Sequence, residues 1–403
     1  MRAFSVSYRL PRLHLLAYRH VRRCLSGGVR IIDNGSYDPE YLDVPFPERN
    51  KSVRKPFPTP MEVLIRRAKI SKEIRRAEPC RMLTDAPENG LLVPELVPVA
   101  HRAYRAHGAL IAGLKKLVQV VTVHRCMFCT EVHIGPVGHE IRTCDGPGSG
   151  TRCATHVWRE GGLRSVVFFP QCFHLNDRVG NPVVGHAENH LVPRIPAIVE
   201  LCSQAGVDLK NFPTKRRTKP VYSIEGRIVD FELMAENSLQ HCALSTQPEV
   251  TSSECLTGDD PEQDISDIRE VSIRTMGAWF EMVEGAKQMM EKYRVWTCGY
   301  CSEVQVGPKG HRLRLCKARK HQTRDGQHAW QEATIDDLIG PNYVWHVRDL
   351  AGPPLANELK RFYGKVPALV ELCVQGGAPV PRQYASMMRL DVVVPQRDEA
   401  DLV

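Results

Sequence analysis

The sequence predicts an α+β chain made of two tandem domains, each a metal-held β-hairpin flanked by helices, joined by an acidic flexible linker. Three observations predict it. The chain repeats itself at an offset of 172 residues, so that Cys126, Cys129, His139 and Cys144 recur as Cys298, Cys301, His311 and Cys316. Apolar residues at helical spacing precede each set: the stretch from His101 to Val118 in the first copy, and Met276, Phe280, Val283 and Met290 in the second. Between the copies, residues 223–270 hold 12 acids against only Arg227 and Arg269. A stretch so polar cannot bury enough apolar surface to fold, and it reads as a solvated linker. Two copies of such length are domains rather than short solenoid units.

The elements follow in chain order. Residues 1–32 carry seven arginines and no acid, the composition of an organelle transit peptide of mitochondrial type. They account for seven of the net +8 charges of the 403-residue chain, so the remainder is nearly neutral. Residues 33–98 form a basic N-terminal extension. Within it, 61–78 is a helix candidate with Met61, Leu64, Ile65, Ala68 and Ile74 on one side. Repeat 1 spans 99–211, with its core at about 125–211. There, Val132 and Ile134, then Ile141, flank Gly135-Pro136-Val137-Gly138, a hairpin pattern with turn residues in the middle. Pro196 stands where a short helix would start and Gly206 where it would stop, as do Pro367 and Gly376 in the second copy. Repeat 2 spans 271–382, with its core at about 297–382, and 383–403 form a C-terminal tail. No apolar run is long enough to span a membrane.

Both copies read Cys-x2-Cys-x9-His-x4-Cys. Cys-x2-Cys bends the backbone into a knuckle that lets two thiolates grip one ion. A hairpin turn would return the histidine and the last cysteine to the same point. Three sulfurs and one nitrogen, with no carboxylate, suit tetrahedral zinc, and a closed set of four leaves no position for a reactive water. Such an ion would contribute folding energy to a hairpin with little core of its own. The expected ligands are therefore Cys126, Cys129, His139 and Cys144, then Cys298, Cys301, His311 and Cys316, holding two zinc ions. An iron–sulfur cluster on the same residues is the alternative. His156 and His328, and likewise His174 and His346, also match between copies and are alternative nitrogen ligands or supports for a ligand. An organelle matrix is reducing, so 14 cysteines do not imply a disulfide framework.

Local charge points to a polyanion. Residues 309–324 contain Lys309, Arg312, Arg314, Lys317, Arg319, Lys320 and Arg324 and no acid, and 210–219 include Lys215, Arg216 and Arg217. Cations displayed on a rigid metal-held hairpin can neutralise phosphates and release counterions. Phe128, Trp158, Trp296, Tyr300 and Trp330 are candidates to stack on unpaired bases. No nucleophile with a paired base, no phosphate loop and no open metal site with a carboxylate is apparent, so the reading is not an enzyme.

The repeated four-ligand pattern encloses Glu-Val and Gly-Pro-x-Gly each time. His-x-Trp follows, then Pro-Ala-[Ile/Leu]-Val-Glu-Leu-Cys at 196–202 and 367–373. This resembles the plant APO family, named for accumulation of photosystem one. The resemblance implies an organelle-targeted protein whose repeated domain is a zinc-dependent RNA-binding module. Chloroplast members promote group II intron splicing, and others are linked to assembly of 4Fe–4S-containing complexes. For this chain it implies organelle RNA, including intron-containing transcripts, as partner, with other splicing factors. The Arg-rich leader resembles the mitochondrial branch.

Overall fold

The computed structural model describes residues 61–77, 80–225, 227–232, 267–318 and 321–390. The leader, most of the acidic linker, Arg319, Lys320 and the end of the tail lie outside the described residues. Among the described residues, no helix is long and apolar enough to cross a membrane.

The described residues open with α1 (Met61–Ala77) and β1 (Cys80–Met82). Each repeat then runs through the same series. Repeat 1 comprises α2 (Val97–Val120), β2 (Val123–Cys126), β3 (Val132–Ile134), β4 (Trp158–Glu160), a single turn α3 (Leu163–Val166), β5 (Gln171–Phe173), β6 (Arg194–Pro196) and α4 (Ala197–Gln204). A hairpin of β7 (Tyr222–Ile224) and β8 (Arg227–Val229) follows and pairs back onto β1. Repeat 2 comprises α5 (Ile268–Met290), β9 (Val295–Cys298), β10 (Val304–Val306), β11 (Trp330–Glu332), α6 (Ile335–Ile339), β12 (Tyr343–Trp345), β13 (Lys365–Pro367) and α7 (Ala368–Gln375). The helices begin where caps permit: Asp267 accepts from the Arg269 N–H, and Thr334 and Asp337 form a capping box.

Two sequence expectations change here. The hairpin turn is the Cys-x2-Cys knuckle itself. β2 pairs β3 with Val123 opposite Ile134, and the Cys126 N–H donates to the Glu131 carbonyl at 2.9 Å. The Gly-Pro-x-Gly stretch instead carries the chain out of the sheet, and Ile141 is buried outside any strand. The linker is also shorter than composition implies. Its start is the β7–β8 hairpin, where Arg217 draws in Asp230 at 2.8 Å and Thr218 binds Glu232. Residues 268–270 already belong to α5.

The two repeats are not separate bodies. One continuous apolar core contains Leu110, Leu114 and Leu117 of α2, Trp279, Met282 and Met289 of α5, and Ile198, Leu201, Leu369 and Leu372 of the two short helices. α2 and α5 cross closely because Gly113 lies against Thr275 and Gly285 against Ala103. Each knuckle hairpin docks on the other repeat. The Gln305 side chain bonds both backbone groups of Phe173, at 3.2 and 2.8 Å. The exchange is reciprocal: Gln204 donates to the Val306 carbonyl at 3.2 Å, and Gln375 to the Ile134 carbonyl at 2.8 Å. The Arg312 N–H reaches the Val184 carbonyl, just as the Glu140 N–H reaches that of Leu355. The tandem repeat is thus an intertwined pair around one core.

Candidate metal centres and nucleic-acid interface

The knuckle after β2 aims backbone N–H groups at sulfur. Phe128 N–H donates to Cys126 Sγ and Glu131 N–H to Cys129 Sγ, both at 3.4 Å; Tyr300 N–H does the same for Cys298 Sγ. A third strand then closes the site. β4 pairs β2 with Trp158 opposite Cys126, which lays His156, two residues earlier, beside the knuckle. β11 repeats this with Trp330 opposite Cys298, delivering His328. Ligand atoms of Cys126, Cys129, Cys144 and His156 all lie within 4.8 Å of one another, as do those of Cys298, Cys301, Cys316 and His328. His156 Nδ1 stands 3.4 Å from Cys129 Sγ, and His328 Nδ1 3.3 Å from Cys301 Sγ.

His139 and His311, expected as the nitrogen ligands, are outside both clusters. Both are buried where a hairpin meets the other repeat. His139 packs edge-on against Trp158, with ring centroids 4.7 Å apart, and also faces Trp345 of repeat 2. His311 packs in the same way against Trp330 and against Phe173 of repeat 1. The indoles of Trp158 and Trp330 donate to the His139 and His311 carbonyls at 3.2 and 3.0 Å. Those rings lie so close over Gly138 and Gly310 that a Cβ there would collide with them. The histidine after each glycine is thereby turned toward the inter-repeat seam. At that seam Glu303 joins His311 and Arg194 at 3.2 and 2.7 Å, and Glu131 meets Lys365 at 3.3 Å. Burial lowers the His139 pKa to about 2, so it is held neutral.

His174 and His346 are likewise outside the clusters. Their Nδ1 atoms meet the buried carboxylates of Glu200 and Glu371 at 2.7 and 2.8 Å. Burial of His174 opposes its charge, yet the hydrogen bond and negative charge of Glu200, with the Pro213 carbonyl, together outweigh it and raise its pKa. Glu200 also receives Gln204 at 2.5 Å, so each buried acid ties a repeat's own strand to the glutamine that grips the other repeat.

The chemistry of the donor sets suits a cation. Burial opposes ionisation of Cys126, but the N–H groups of Phe128 and Cys129 and the Cys129 thiol outweigh it and lower its pKa. Burial then pushes Cys129 up to about 12. In repeat 2, donation from the Cys301 thiol brings Cys298 down to about 3, and Cys301 is driven upward in turn. One thiolate of each knuckle is accommodated and the next resisted, so ionising both needs positive charge between them. Arginines supply some from outside. Arg152 lies 3.7 Å from Cys144 Sγ and 3.8 Å above the Phe128 ring, and Arg324 repeats both contacts with Cys316 and Tyr300. Nothing in the sequence marked Arg152 beyond its match to Arg324.

The expected RNA-binding cations divide. Arg217 is buried between Asp177 and Asp230, Arg216 pairs with Asp208 and two backbone carbonyls, and Lys215 sits within 4.0 Å of Asp177 and Asp230. These three hold the segment after α4 in place. Arg324 is committed to Cys316 and Tyr300, and Arg314 pairs with Asp325 at 3.0 Å. Arg312, Lys317 and Lys309 have exposed side chains. Trp158, Trp330 and Trp296 donate to backbone carbonyls and serve the fold.

The APO RNA-binding family matches residues 30–230 and 260–396, one segment per repeat. Among curated proteins of Arabidopsis thaliana, APO protein 3, mitochondrial, is 61% identical over 92% of this chain and 91% of its own. APO protein 2, chloroplastic, is 42% identical over 91% and 82% of the two chains. APO protein 1, chloroplastic, is 41% identical over 90% and 83%. The resemblance is therefore greater to the mitochondrial protein than to the two chloroplastic ones. No solved structure shows significant similarity. With both repeats matched and such identity sustained along nearly its whole length, the chain belongs to the APO RNA-binding family.

Proposed function

We propose that this chain is a non-enzymatic mitochondrial RNA-binding protein that promotes group II intron splicing or transcript maturation, with two zinc ions bracing its RNA-binding surface. The observation that carries the reading is the doubled Cys3His cluster in a chain of this family. Cys126, Cys129, Cys144 and His156 would hold one ion, and Cys298, Cys301, Cys316 and His328 the other. Donor atoms within 4.8 Å of one another suit a single ion at ~2.3 Å from each sulfur and leave little room for a multinuclear cluster. This favours zinc over an iron–sulfur centre. The ion would pin the loop bearing Cys144 or Cys316 to the three-stranded sheet, holding Arg312 and Lys317 in fixed positions beside the second site.

Metal analysis of the purified chain should give two zinc ions, and Cys126→Ser with Cys298→Ser should lose them and weaken salt-sensitive binding to single-stranded RNA. Iron with sulfide would refute zinc, and unchanged RNA affinity after metal loss would refute the coupling. Sequencing of RNA that co-purifies from mitochondria tests the splicing role, with enrichment of intron-containing transcripts as the expected result.

A further inference from the structure

We infer that the RNA backbone seats in a basic cleft on the first repeat, clamped by the cross-strand pair Arg125 and Arg159 with Lys115 beside them. The inference rests on the RNA-binding reading and assigns it a surface. Arg125 on β2 and Arg159 on β4 are direct partners in the antiparallel register. Both are exposed, and so is Lys115 near the end of α2. Together they line an open cleft of 660 Å³, bordered also by Arg164, with Glu160 the one acid in its wall. Like charges directly opposite on a sheet destabilise it. Among the described residues, none of Lys115, Arg125 and Arg159 has an ion pair that would offset this. At Gly162 a side chain would meet nothing within 4 Å, so this side of the cleft is bare backbone open to a ligand.

The second repeat is an internal control. It has the same sheet and the same cysteine–histidine cluster, yet Arg125, Arg159 and Arg164 become Thr297, Gln331 and Asp336 at the 172-residue offset. Thr297 is fully buried. Nearby, Asp85, Glu88 and Glu95 of the segment before α2 share a cleft with Glu291 and Glu332, five acids against Lys292 and Arg294. A role in folding or metal binding would favour the same residues in both copies. With two of these arginines replaced by neutral residues and the third by an acid, the first face attracts phosphate and its counterpart in the second repeat does not. Paired arginines match phosphate oxygens in both charge and geometry, and such contacts position RNA without reading its sequence.

The test titrates a fluorescent oligouridylate with the full-length chain at several salt concentrations, comparing wild type, R125E/R159E and R125Q/R159Q. Metal content per chain, measured alongside, reports folding. With metal content unchanged, R125E/R159E should weaken binding about 10-fold or more, and R125Q/R159Q should lower the salt slope by about 1.4, two contacts' worth on a single strand. If the wild type binds and both variants match its affinity and slope, the cleft assignment is overturned while RNA binding stands. Absence of binding by the wild type would overturn the RNA reading and this assignment with it.

Discussion

Three histidine pairs recur at the repeat offset, and the expectation fell on His139 and His311 where the structure sets His156 and His328 beside the cysteines. Cysteine identity was legible because all three recur in strict register with a knuckle between the first two. The nitrogen depended on β4 and β11, three-residue strands too short to announce themselves by alternation, which carry His156 and His328 to the knuckle. His139 has instead become part of the seam between repeats. The two roles separate experimentally. His156→Ala is expected to lower bound metal from two ions per chain to one. His139→Ala should retain both ions but lose about 3–5 kcal/mol of stability, the range for emptying a buried aromatic-sized site. Metal analysis and denaturant unfolding of the two variants check this, and metal loss from His139→Ala alone would reverse the assignment. Charge behaved similarly: the sign of the 210–219 run was plain, but not that Asp177 and Asp230, distant in sequence, would neutralise Arg217.

Among the elements, the long helices were visible from apolar periodicity, and both extend further toward their N-termini than the periodic residues alone indicated. Their crossing was not visible. Gly113 and Gly285 are poor helix formers, tolerated here because their missing side chains let α2 and α5 approach. A Cβ at Gly285 would stand 2.9 Å from that of Ala103. Gly285→Leu should therefore cost about 1–3 kcal/mol by overpacking, despite the better helix propensity of leucine. Thermal unfolding is the measurement, and an unchanged or raised Tm would show that the helices can separate freely.

Taken whole, the chain departs most from two modules on a string. Buried glutamines exchanged between repeats, and a core common to both, predict that fragments 61–232 and 267–390 co-expressed as separate chains will co-purify as one complex and unfold in one transition. Either fragment alone should aggregate or self-associate, since its seam would be left exposed. Two fragments that each fold as monomers would refute the shared core. The repeat, the cysteines that cluster, the long helices and the charge imbalance were legible in the sequence alone, because each is written in identity or spacing along one chain. Which histidine meets the sulfurs, which cations are spent on carboxylates, and that the repeats interlock came from the folded chain. Those outcomes depend on pairings between residues tens to hundreds of positions apart, and local periodicity carries no record of such partners.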